Sequence, residues 1–518
     1  MLISLINSVF DVVCICHQLF SIYRNVFVLM TRSQTDLCGR FFFQKMQPNR
    51  FEIFQTSIES ESENKSTIVI VAERLSSIVR NSMSVKLKRT IAIIVVVIVS
   101  MVIENHRCFE WHLFSDDLDI IRNTTQLIES RGFRFQIHHP ITQDGYILTL
   151  IRLINPYAKF SKRSIYFQHG LFGNSDNFLL SRNELLTRDG LINTQTSLLN
   201  DCSGFESKAV GQSLAYVLSA CGYDVWLGNF RGNRYSSDHI LLDSKLDKEY
   251  WTFTIDHLSR FDLEANIDYI REETDNSHIG YVGHSLGTSV MFQLLAEKPF
   301  YSEILKPVVM LAPVAYVSHI KAPLLLLAAY NPFFVKLLST LQMPIFGLPS
   351  RLIATLDQLI GTFICGNEFL KPICTFFLFT LCGFDYPNTD KSMIPFAYGH
   401  FPDNTAALLL AHLAQRVVNN TFSFFDYGLE ENLNLYSSMN SPTYNISRIT
   451  SKHLIFISGL NDWLADPEDV ESLRKQLTVK IMQDYIVPDE SFNHDDFLLG
   501  SNVGKLQNSL LLRWLNAL

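Results

Sequence analysis

The sequence predicts an α/β fold with a mostly parallel central sheet and a mainly helical cap segment. Short apolar, partly β-branched runs alternate with helical patterns from about residue 133 to residue 311, as in a sheet with helices on both faces. From residue 315 to residue 450 the strand pattern stops, and it resumes at residue 451. A G-x-S-x-G pentapeptide, residues 283–287, stands between a predicted strand and a predicted helix.

Length and composition limit the classes of partner. At 518 residues the chain exceeds one typical domain and can bury a large core. The net charge is −8 and no basic block is interleaved with aromatic residues, which argues against nucleic acid as a partner. Hydrophobic residues make up 47% and the mean hydropathy is +0.12, so we expect a membrane segment or an apolar binding surface.

The N-terminal region has two predicted parts. Residues 1–82 form an extension to which the sequence assigns no role. Residues 83–107 have the form of a secretory signal, because Lys86, Lys88 and Arg89 precede the apolar run 91–103. That run is too short to span a bilayer comfortably, so a cleaved signal peptide is the first interpretation. A signal anchor is the alternative if the extension is translated.

Two further features are consistent with the secretory route. Sequons at Asn123, Asn419 and Asn445 follow the apolar run and are candidate glycosylation sites. Cys365 and Cys374 are closely spaced and form either a disulfide, in an oxidising compartment, or two buried thiols. No two C-x-x-C pairs occur, so the sequence indicates no zinc site. We expect a secreted or lysosomal protein, with a membrane-anchored one as the alternative.

Residues 108–314 are predicted to form the first part of the core. A helical pattern at 116–132 precedes a β-hairpin with strands at 133–138 and 146–153 and an Asp-Gly turn signal between them. Residues 182–208 have no clear period and are interpreted as a surface insertion or a long loop. The strands that follow alternate with helices, which favours parallel pairing.

The strand predicted at 164–169 runs directly into His169-Gly170. In α/β-hydrolases a strand that ends in this way carries the loop that supplies half of the oxyanion hole. The backbone N–H of Leu171 is therefore the candidate donor. The alternative is a simple β-turn glycine.

The pentapeptide contains the candidate nucleophile, Ser285. Residues 279–282 before it form a short apolar run typical of a buried strand, and Val290 and Leu294 after it recur at helical spacing. A serine on a sharp strand-to-helix turn is exposed to substrate, and the flanking glycines let neighbouring backbone pass close to it. The alternative is an ordinary buried turn serine.

Residues 315–450 are predicted to form a cap over the carboxyl edge of the sheet. Apolar helical runs such as 324–330 and 376–381 are separated by prolines, and no strand pattern interrupts them. Their apolar excess could contact lipid substrate or an interface. The alternative is that these helices only pack on each other.

Residues 451–518 return to the core pattern. A buried strand at 453–458 is followed by a loop that contains Asp462, and the last strand, 485–487, is followed by His494. Ligands bind outside the carboxyl ends of strands in open α/β sheets, so both side chains are expected at the functional edge.

The order Ser285, Asp462, His494 is the order in which α/β-hydrolases carry a catalytic triad. A serine nucleophile needs a base for its proton and a carboxylate that fixes the tautomer of that base. Asp466 competes with Asp462, but Asp466-Pro467 has the form of a helix N-cap and lies farther from the strand. For His494 the alternative is a surface-loop histidine.

Several long motifs resemble the acid lipase family, which includes gastric and lysosomal acid lipases. The resemblance runs from about residue 116 to the C-terminus. The motifs, in order, are QDGYIL, GYDVWLGNFRGNRYS, GHSLGTS, FDYG, NDWLADP and NHD, at residues 143–148, 222–236, 283–289, 425–428, 461–467 and 493–495.

The resemblance implies an α/β-hydrolase fold and hydrolysis of neutral lipid esters, either triacylglycerols or sterol esters, at a lipid–water interface. It implies Ser285, Asp462 and His494 as the triad, without a cofactor or metal. It also implies an oxyanion hole made by the N–H groups of Leu171 and Leu286.

A cap disulfide of that family is similar to a pairing of Cys365 with Cys374, which would leave Cys382 free. This sequence departs from the family pattern in three places. Leu286 stands where Gln or Met is more usual, although only its N–H is required. Residues 403–406 (DNTA) replace a smaller, glycine-containing pattern, and residues 182–208 are longer than their family equivalent.

Two other functions stay open on the sequence alone. A short-chain carboxylesterase would share the triad, and a lipid-binding protein on the same fold would have an idle one, since fold does not guarantee chemistry. The sequence leaves the oligomeric state undetermined.

Overall fold

A computed structural model describes residues 117–158, 161–181, 184–193 and 211–518. The extension 1–82, the predicted signal 83–107 and most of the insertion 182–208 lie outside these residues.

Eight strands of the described chain form the central sheet, in the order β1-β3-β5-β4-β7-β8-β9-β10, while β2 pairs with β6. Their bounds are β1 Arg134–His138, β2 Tyr146–Ile147, β3 Leu150–Ile154, β4 Ser164–Gln168, β5 Asp224–Leu227, β6 Asp238–His239, β7 Ile279–His284, β8 Leu305–Leu311, β9 Leu454–Ser458 and β10 Gln483–Ile486.

The sheet is antiparallel at one edge and parallel elsewhere. The pairs β1–β3 and β3–β5 are antiparallel. Strands β5, β4, β7, β8, β9 and β10 are joined by parallel pairs. Six parallel strands put their carboxyl ends on one edge, which confirms the predicted mostly parallel sheet.

The predicted hairpin forms between β1 and β3, but its second strand is shorter than expected. Tyr146 pairs with His239 of β6 instead of continuing into β3. The break comes at Thr149, whose N–H donates to Ser236 Oγ (2.9 Å) and whose hydroxyl donates to the Tyr235 carbonyl (2.6 Å). Hydrogen bonds to the loop after β5 therefore interrupt the single strand that the sequence predicts at 146–153.

Helices cover both faces of the sheet. Their bounds are α1 Thr124–Ser130, α2 Leu214–Ala220, α3 Ile255–His257, α4 Glu264–Thr274, α5 Leu286–Glu297, α6 Tyr301–Ile304, α7 Pro323–Ala329, α8 Pro332–Thr340, α9 Ser350–Leu359, α10 Lys371–Cys382, α11 Ile394–His400, α12 Ala407–Asn419, α13 Leu429–Tyr436, α14 Pro467–Gln476, α15 Asp496–Leu499 and α16 Ser509–Asn516.

Alternate residues of the parallel strands point into two cores. On one face Phe167 and Val282 pack with the apolar side chains of α2 and α16. On the other face Tyr166 and Tyr281 pack with α4 and α5. Burial on both faces explains why these strands read as continuous apolar runs rather than as alternating ones.

No strand of the sheet lies between Leu311 and Leu454, a stretch that the structure describes throughout. Helices α7–α13 fill it, as the sequence predicts. The disulfide Cys365–Cys374 joins the π-helical segment Ile360–Cys365, which continues α9, to α10. Asp119–Leu518 forms one compact unit, so the boundaries of a separate cap at 315 and 450 stay a prediction. In the described ranges, no helix is both long and apolar enough for a transmembrane span.

Candidate active site

Ser285 occupies a strained turn between β7 and α5. Its φ of 54° and ψ of −117° lie outside the regions that non-glycine residues favour, a conformation that costs on the order of 1–3 kcal/mol. The N–H of Ser285 donates to the Leu311 carbonyl of the neighbouring strand β8 (3.0 Å), which ties the turn to the sheet. The predicted strand, sharp turn and helix are all present, and the side chain is partly exposed.

Two glycines let the loop after β4 meet this turn. A Cβ on Gly170 would lie 2.9 Å from Ser285 Cβ, and one on Gly287 would lie 2.4 Å from the Gln168 carbonyl oxygen. Any larger residue would force the two segments apart. Leu171 is therefore held next to Ser285.

The side chains of Ser285, His494 and Asp462 form a continuous hydrogen-bonded chain. Ser285 Oγ lies 2.8 Å from His494 Nε2. His494 Nδ1 lies 2.9 Å from each carboxylate oxygen of Asp462. A carboxylate only accepts, so Nδ1–H donates to Asp462 and Nε2 is left to accept the serine hydroxyl proton.

The charges of this pair stabilise each other. Burial lowers the pKa of His494, but the Asp462 carboxylate outweighs burial and holds that pKa above its ordinary value. Burial raises the pKa of Asp462, but His494 and the N–H groups of Ala465 and Leu464 outweigh it and hold that pKa below its ordinary value. Those two N–H groups donate to Asp462 Oδ1 at 2.8 and 2.9 Å. Asp462 is thus kept ionised and fixed.

The backbone N–H groups of Leu171 and Leu286 belong to the two segments that meet at Ser285. Within the described part of the chain neither donates a hydrogen bond. Leu286 is the first residue of α5, whose leading N–H groups have no partner in the helix. Both N–H groups are therefore without an acceptor in the described part of the chain, and their role in an oxyanion hole stays a prediction.

His169 fixes the loop that carries Leu171. Its Nδ1 lies 2.8 Å from the Gly170 carbonyl, and its Nε2 accepts the N–H of Phe230 (3.1 Å). Burial lowers the pKa of His169 to about 4, so the ring is neutral. One nitrogen donates to its own loop and the other accepts from the loop after β5.

Sequence reasoning missed His284, which stands directly before the serine. Its Nε2 donates to the carbonyl of His494 (3.2 Å), and burial lowers its pKa to about 3. A neutral, buried imidazole therefore supports the backbone of His494. Its place between the glycine and serine of the pentapeptide was the available signal.

A second missed feature is the end of α10. The carbonyl of Cys382 accepts the N–H groups of both His494 (3.2 Å) and Trp463 (3.3 Å). The Asn493 side-chain amide donates to the Gly383 carbonyl (2.8 Å). The last turn of this helix thus connects the loop of Asp462 to the loop of His494. No sequence spacing indicates such a contact.

The remaining predicted residues are located as follows. Asp466 does not contact His494; it accepts the N–H of Glu468 (2.9 Å) as the N-cap of α14, as predicted. Cys365 and Cys374 are bonded, Cys382 is a buried free thiol, and Cys221 is also disulfide-bonded.

The three sequon asparagines, Asn123, Asn419 and Asn445, are all exposed. Among the described residues no group of three His, Cys, Asp or Glu side chains is arranged to hold a metal ion.

Comparison with known proteins gives two family matches and close relatives. Residues 124–182 match a partial alpha/beta-hydrolase lipase region, and residues 163–339 match the alpha/beta hydrolase fold. Human lipase member K is 33% identical over 386 residues, covering 73% of this chain and 87% of the relative. Mouse gastric triacylglycerol lipase is 32% identical over 387 residues, with the same coverage of both chains.

Human lysosomal acid lipase/cholesteryl ester hydrolase is 30% identical over 387 residues, covering 73% of this chain and 86% of the relative. Identity of this level extends over most of each relative, so fold and family are shared. The chain belongs to the acid lipase family and is a carboxylic ester hydrolase, a lipase, on the α/β-hydrolase fold.

Proposed function

We propose that the chain hydrolyses neutral lipid esters, triacylglycerols or sterol esters, through an acyl-enzyme formed on Ser285. The observation that supports this most directly is the hydrogen-bonded chain from Asp462 through His494 to Ser285. The N–H groups of Leu171 and Leu286, in the two segments that meet at the serine, have no acceptor among the described residues. An activated serine needs a hydroxyl that substrate can reach, a base that takes its proton and a carboxylate that orients the base.

The proposed reaction has four steps. His494 Nε2 takes the hydroxyl proton as Ser285 Oγ attacks the ester carbonyl carbon. The N–H groups of Leu171 and Leu286 stabilise the negative charge on the carbonyl oxygen. His494 then gives the proton to the leaving alcohol. Water, activated by the same nitrogen, releases the fatty acid and restores the serine.

The surface of residues 323–382, which include helices α7–α10, supports the proposal that the substrate is a lipid. Large apolar side chains stand in solvent there, with exposures of 72% for Leu327, 77% for Phe333 and 74% for Phe369. Exposed apolar groups in such number mark a surface that meets an apolar partner. The relatives named for triacylglycerol and cholesteryl ester support the same substrate class.

We further propose a secreted or lysosomal location, with glycans on Asn123, Asn419 and Asn445. All three asparagines are exposed, and the disulfide Cys365–Cys374 is of a kind that persists in oxidising compartments. Expression in a secreting eukaryotic cell with endoglycosidase treatment tests this. A mobility shift that is lost on Asn→Gln substitution at each sequon is the expected result.

Two assays test the function. A fluorophosphonate probe should label the wild type and leave Ser285→Ala unlabelled; absence of wild-type labelling would favour a lipid carrier. Rates on emulsified long-chain triacylglycerol and sterol ester, compared with a soluble short-chain ester, test the substrate class. Higher activity on the emulsions is expected, whereas activity on the soluble ester alone would indicate a short-chain esterase.

A further inference from the structure

A buried carboxylate of the helical segment contacts the oxyanion loop. Asp403 lies between α11 and α12 and is fully buried. Its N–H donates to the Phe172 carbonyl (2.6 Å), one residue after Leu171. Its Oδ2 accepts the side-chain amide of Asn174 (2.8 Å), which also donates to the His400 carbonyl (3.1 Å). The loop after β4 is thus bound on its outer side by residues far along the chain.

The turn that carries Leu171 needs such support. The N–H of Gly173 donates to the Gly170 carbonyl (3.2 Å), which closes a four-residue turn with Leu171 and Phe172 in the middle. Phe172 has a φ of 58°. For a bulky residue this left-handed conformation costs roughly 1–2 kcal/mol. The hydrogen bond from Asp403 to the Phe172 carbonyl holds this peptide in place.

Arg234 supplies the opposite charge. Its backbone N–H donates to Asp403 Oδ1 (3.0 Å) and its Nε donates to Oδ2 (2.8 Å). The N–H of Asn404 also donates to Oδ1 (2.7 Å). With Asn174, four N–H donors converge on the two oxygens, which suits a carboxylate and no neutral side chain. Burial raises the pKa of Asp403, and Arg234 opposes that rise.

We infer that Asp403, paired with Arg234, is a positioning residue for the hydrolysis, because it sets the direction of the Leu171 N–H toward the developing oxyanion. The helical segment thereby controls one half of the oxyanion hole. This inference rests on the proposed role of Leu171. An oxyanion donor must point at its target within a few tenths of an ångström, so a small tilt of this turn weakens it.

Asp403→Asn is the first test variant. Both oxygens of Asp403 accept from N–H donors, so the NH₂ group of asparagine would face other donors and lose those hydrogen bonds. We expect kcat on a soluble ester to fall roughly tenfold with KM unchanged, a fraction of the 10²–10³ loss typical of a deleted donor. The matched control is Asp357→Asn. Asp357 accepts from the same arginine (Nη2, 2.7 Å) and does not contact the oxyanion loop.

Burial raises the pKa of Asp357 to about 8, which disfavours its charge, and an asparagine oxygen can still accept from Arg234 Nη2, so an amide replaces this carboxyl closely. We expect this control to keep kcat within about twofold of the wild type. Equal losses of kcat in Asp403→Asn and Asp357→Asn would overturn the inference, since they would indicate a general ion-pair effect.

A double-mutant cycle with Leu171→Pro separates the inference from the proposed function. Proline fits the second position of such a turn and removes the N–H. Leu171→Pro alone should lower kcat at least about 100-fold; no loss would refute the proposed oxyanion donor. In the Leu171→Pro background, Asp403→Asn should have no further effect on kcat. A full additional tenfold loss there would refute the positioning role.

If Asp403→Asn does not fold, Arg234→Gln is the variant that tests the positioning role of Asp403. This variant keeps the backbone bond from Asp403 to Phe172 and removes the charge that orients the carboxylate. A loss of kcat without a change in KM, in protein that still unfolds cooperatively, supports the inference. Unchanged kcat overturns it.

Discussion

Asp462 decides which nitrogen of His494 carries the proton. Both of its oxygens lie 2.9 Å from Nδ1, and backbone N–H groups hold the carboxylate in place. Nε2 is left unprotonated and faces Ser285 Oγ at 2.8 Å. In the proposed mechanism this geometry prepares the base before substrate arrives, so little reorganisation accompanies proton transfer.

Replacing Asp462 by asparagine should therefore abolish most activity. The amide can donate to Nδ1 and so favour the wrong tautomer, and we expect kcat to fall by roughly 10³–10⁴. Steady-state rates on a soluble ester provide the measurement. Asp466→Asn is the matched control, since Asp466 caps α14 without contact to His494 and asparagine is an equally good cap. Comparable losses in the two variants would contradict the assignment.

The same residue should control the acid limb of the pH–rate profile. His494 acts as a base only when neutral, so kcat/KM should rise as pH increases through its pKa. Burial lowers that pKa and the Asp462 carboxylate raises it above the ordinary value. Removing the negative charge disfavours the protonated ring, so residual activity of Asp462→Asn should extend to lower pH. An unchanged or upward-shifted limb would contradict this.

Among the elements, the contact between α5 and β4 sets the distance from nucleophile to oxyanion loop. A Cβ on Gly287 would be 2.4 Å from the Gln168 carbonyl oxygen, a backbone atom that cannot turn aside. Helix α5 would have to move away from β4, and Ser285 would move with it.

We expect Gly287→Ala to lower kcat at least roughly tenfold, since a displacement of this size disrupts near-attack geometry. Rates and thermal unfolding should be measured together. Gly280→Ala on β7 is the control, because its Cβ would first meet the flexible Ile165 Cγ1, at 3.2 Å. If Gly287→Ala retained full activity, the close approach would not be what positions the serine.

Local sequence is sufficient to predict the strands that precede Ser285 and Asp462. Strands β7 and β9 are apolar runs buried on both faces, and each ends at a turn signal, so Ser285 and Asp462 were assigned from neighbouring residues. The break between β2 and β3 was not predictable, because it depends on pairing with β6 about 90 residues away. The contacts of Asp403 likewise join segments more than 160 residues apart.

Across the whole molecule, buried ionisable groups of two kinds oppose each other. Burial raises the pKa of Glu184 to about 7, of Asp357 to about 8 and of Asp496 to about 9. These carboxyls bind protons more tightly folded than unfolded, where their pKa is about 4. The stability that they contribute is present at low pH and is lost as pH rises through the folded values.

Buried histidines act in the other direction. Burial lowers the pKa of His169 and His257 to about 4 and of His284 to about 3. These rings take up protons more readily when unfolded, where the pKa is about 6.5. They therefore reduce stability as pH falls below that value.

The two sets cancel in mildly acidic solution, because three carboxyls and three histidines contribute opposite slopes of stability against pH there. Tm should therefore change little between about pH 4.5 and 6.5 and should fall from about pH 6.5 toward pH 9. Differential scanning calorimetry across this range is the measurement. Asp357→Asn should flatten the alkaline decline, because it removes one of the groups responsible. A Tm that is constant or rising from pH 6.5 to 9 would contradict the prediction.

The end of α10 has a consequence for protein engineering. The carbonyl of Cys382 accepts N–H groups from both the loop of Asp462 and the loop of His494. A chimera that exchanges the helical segment between relatives would replace the Cys382 carbonyl and its two hydrogen bonds, together with any preference for acyl chain. Grafts that stop before residue 382 should keep turnover. Grafts that run past residue 383 should keep turnover only if the grafted peptide at Cys382 preserves both hydrogen bonds to the recipient loops.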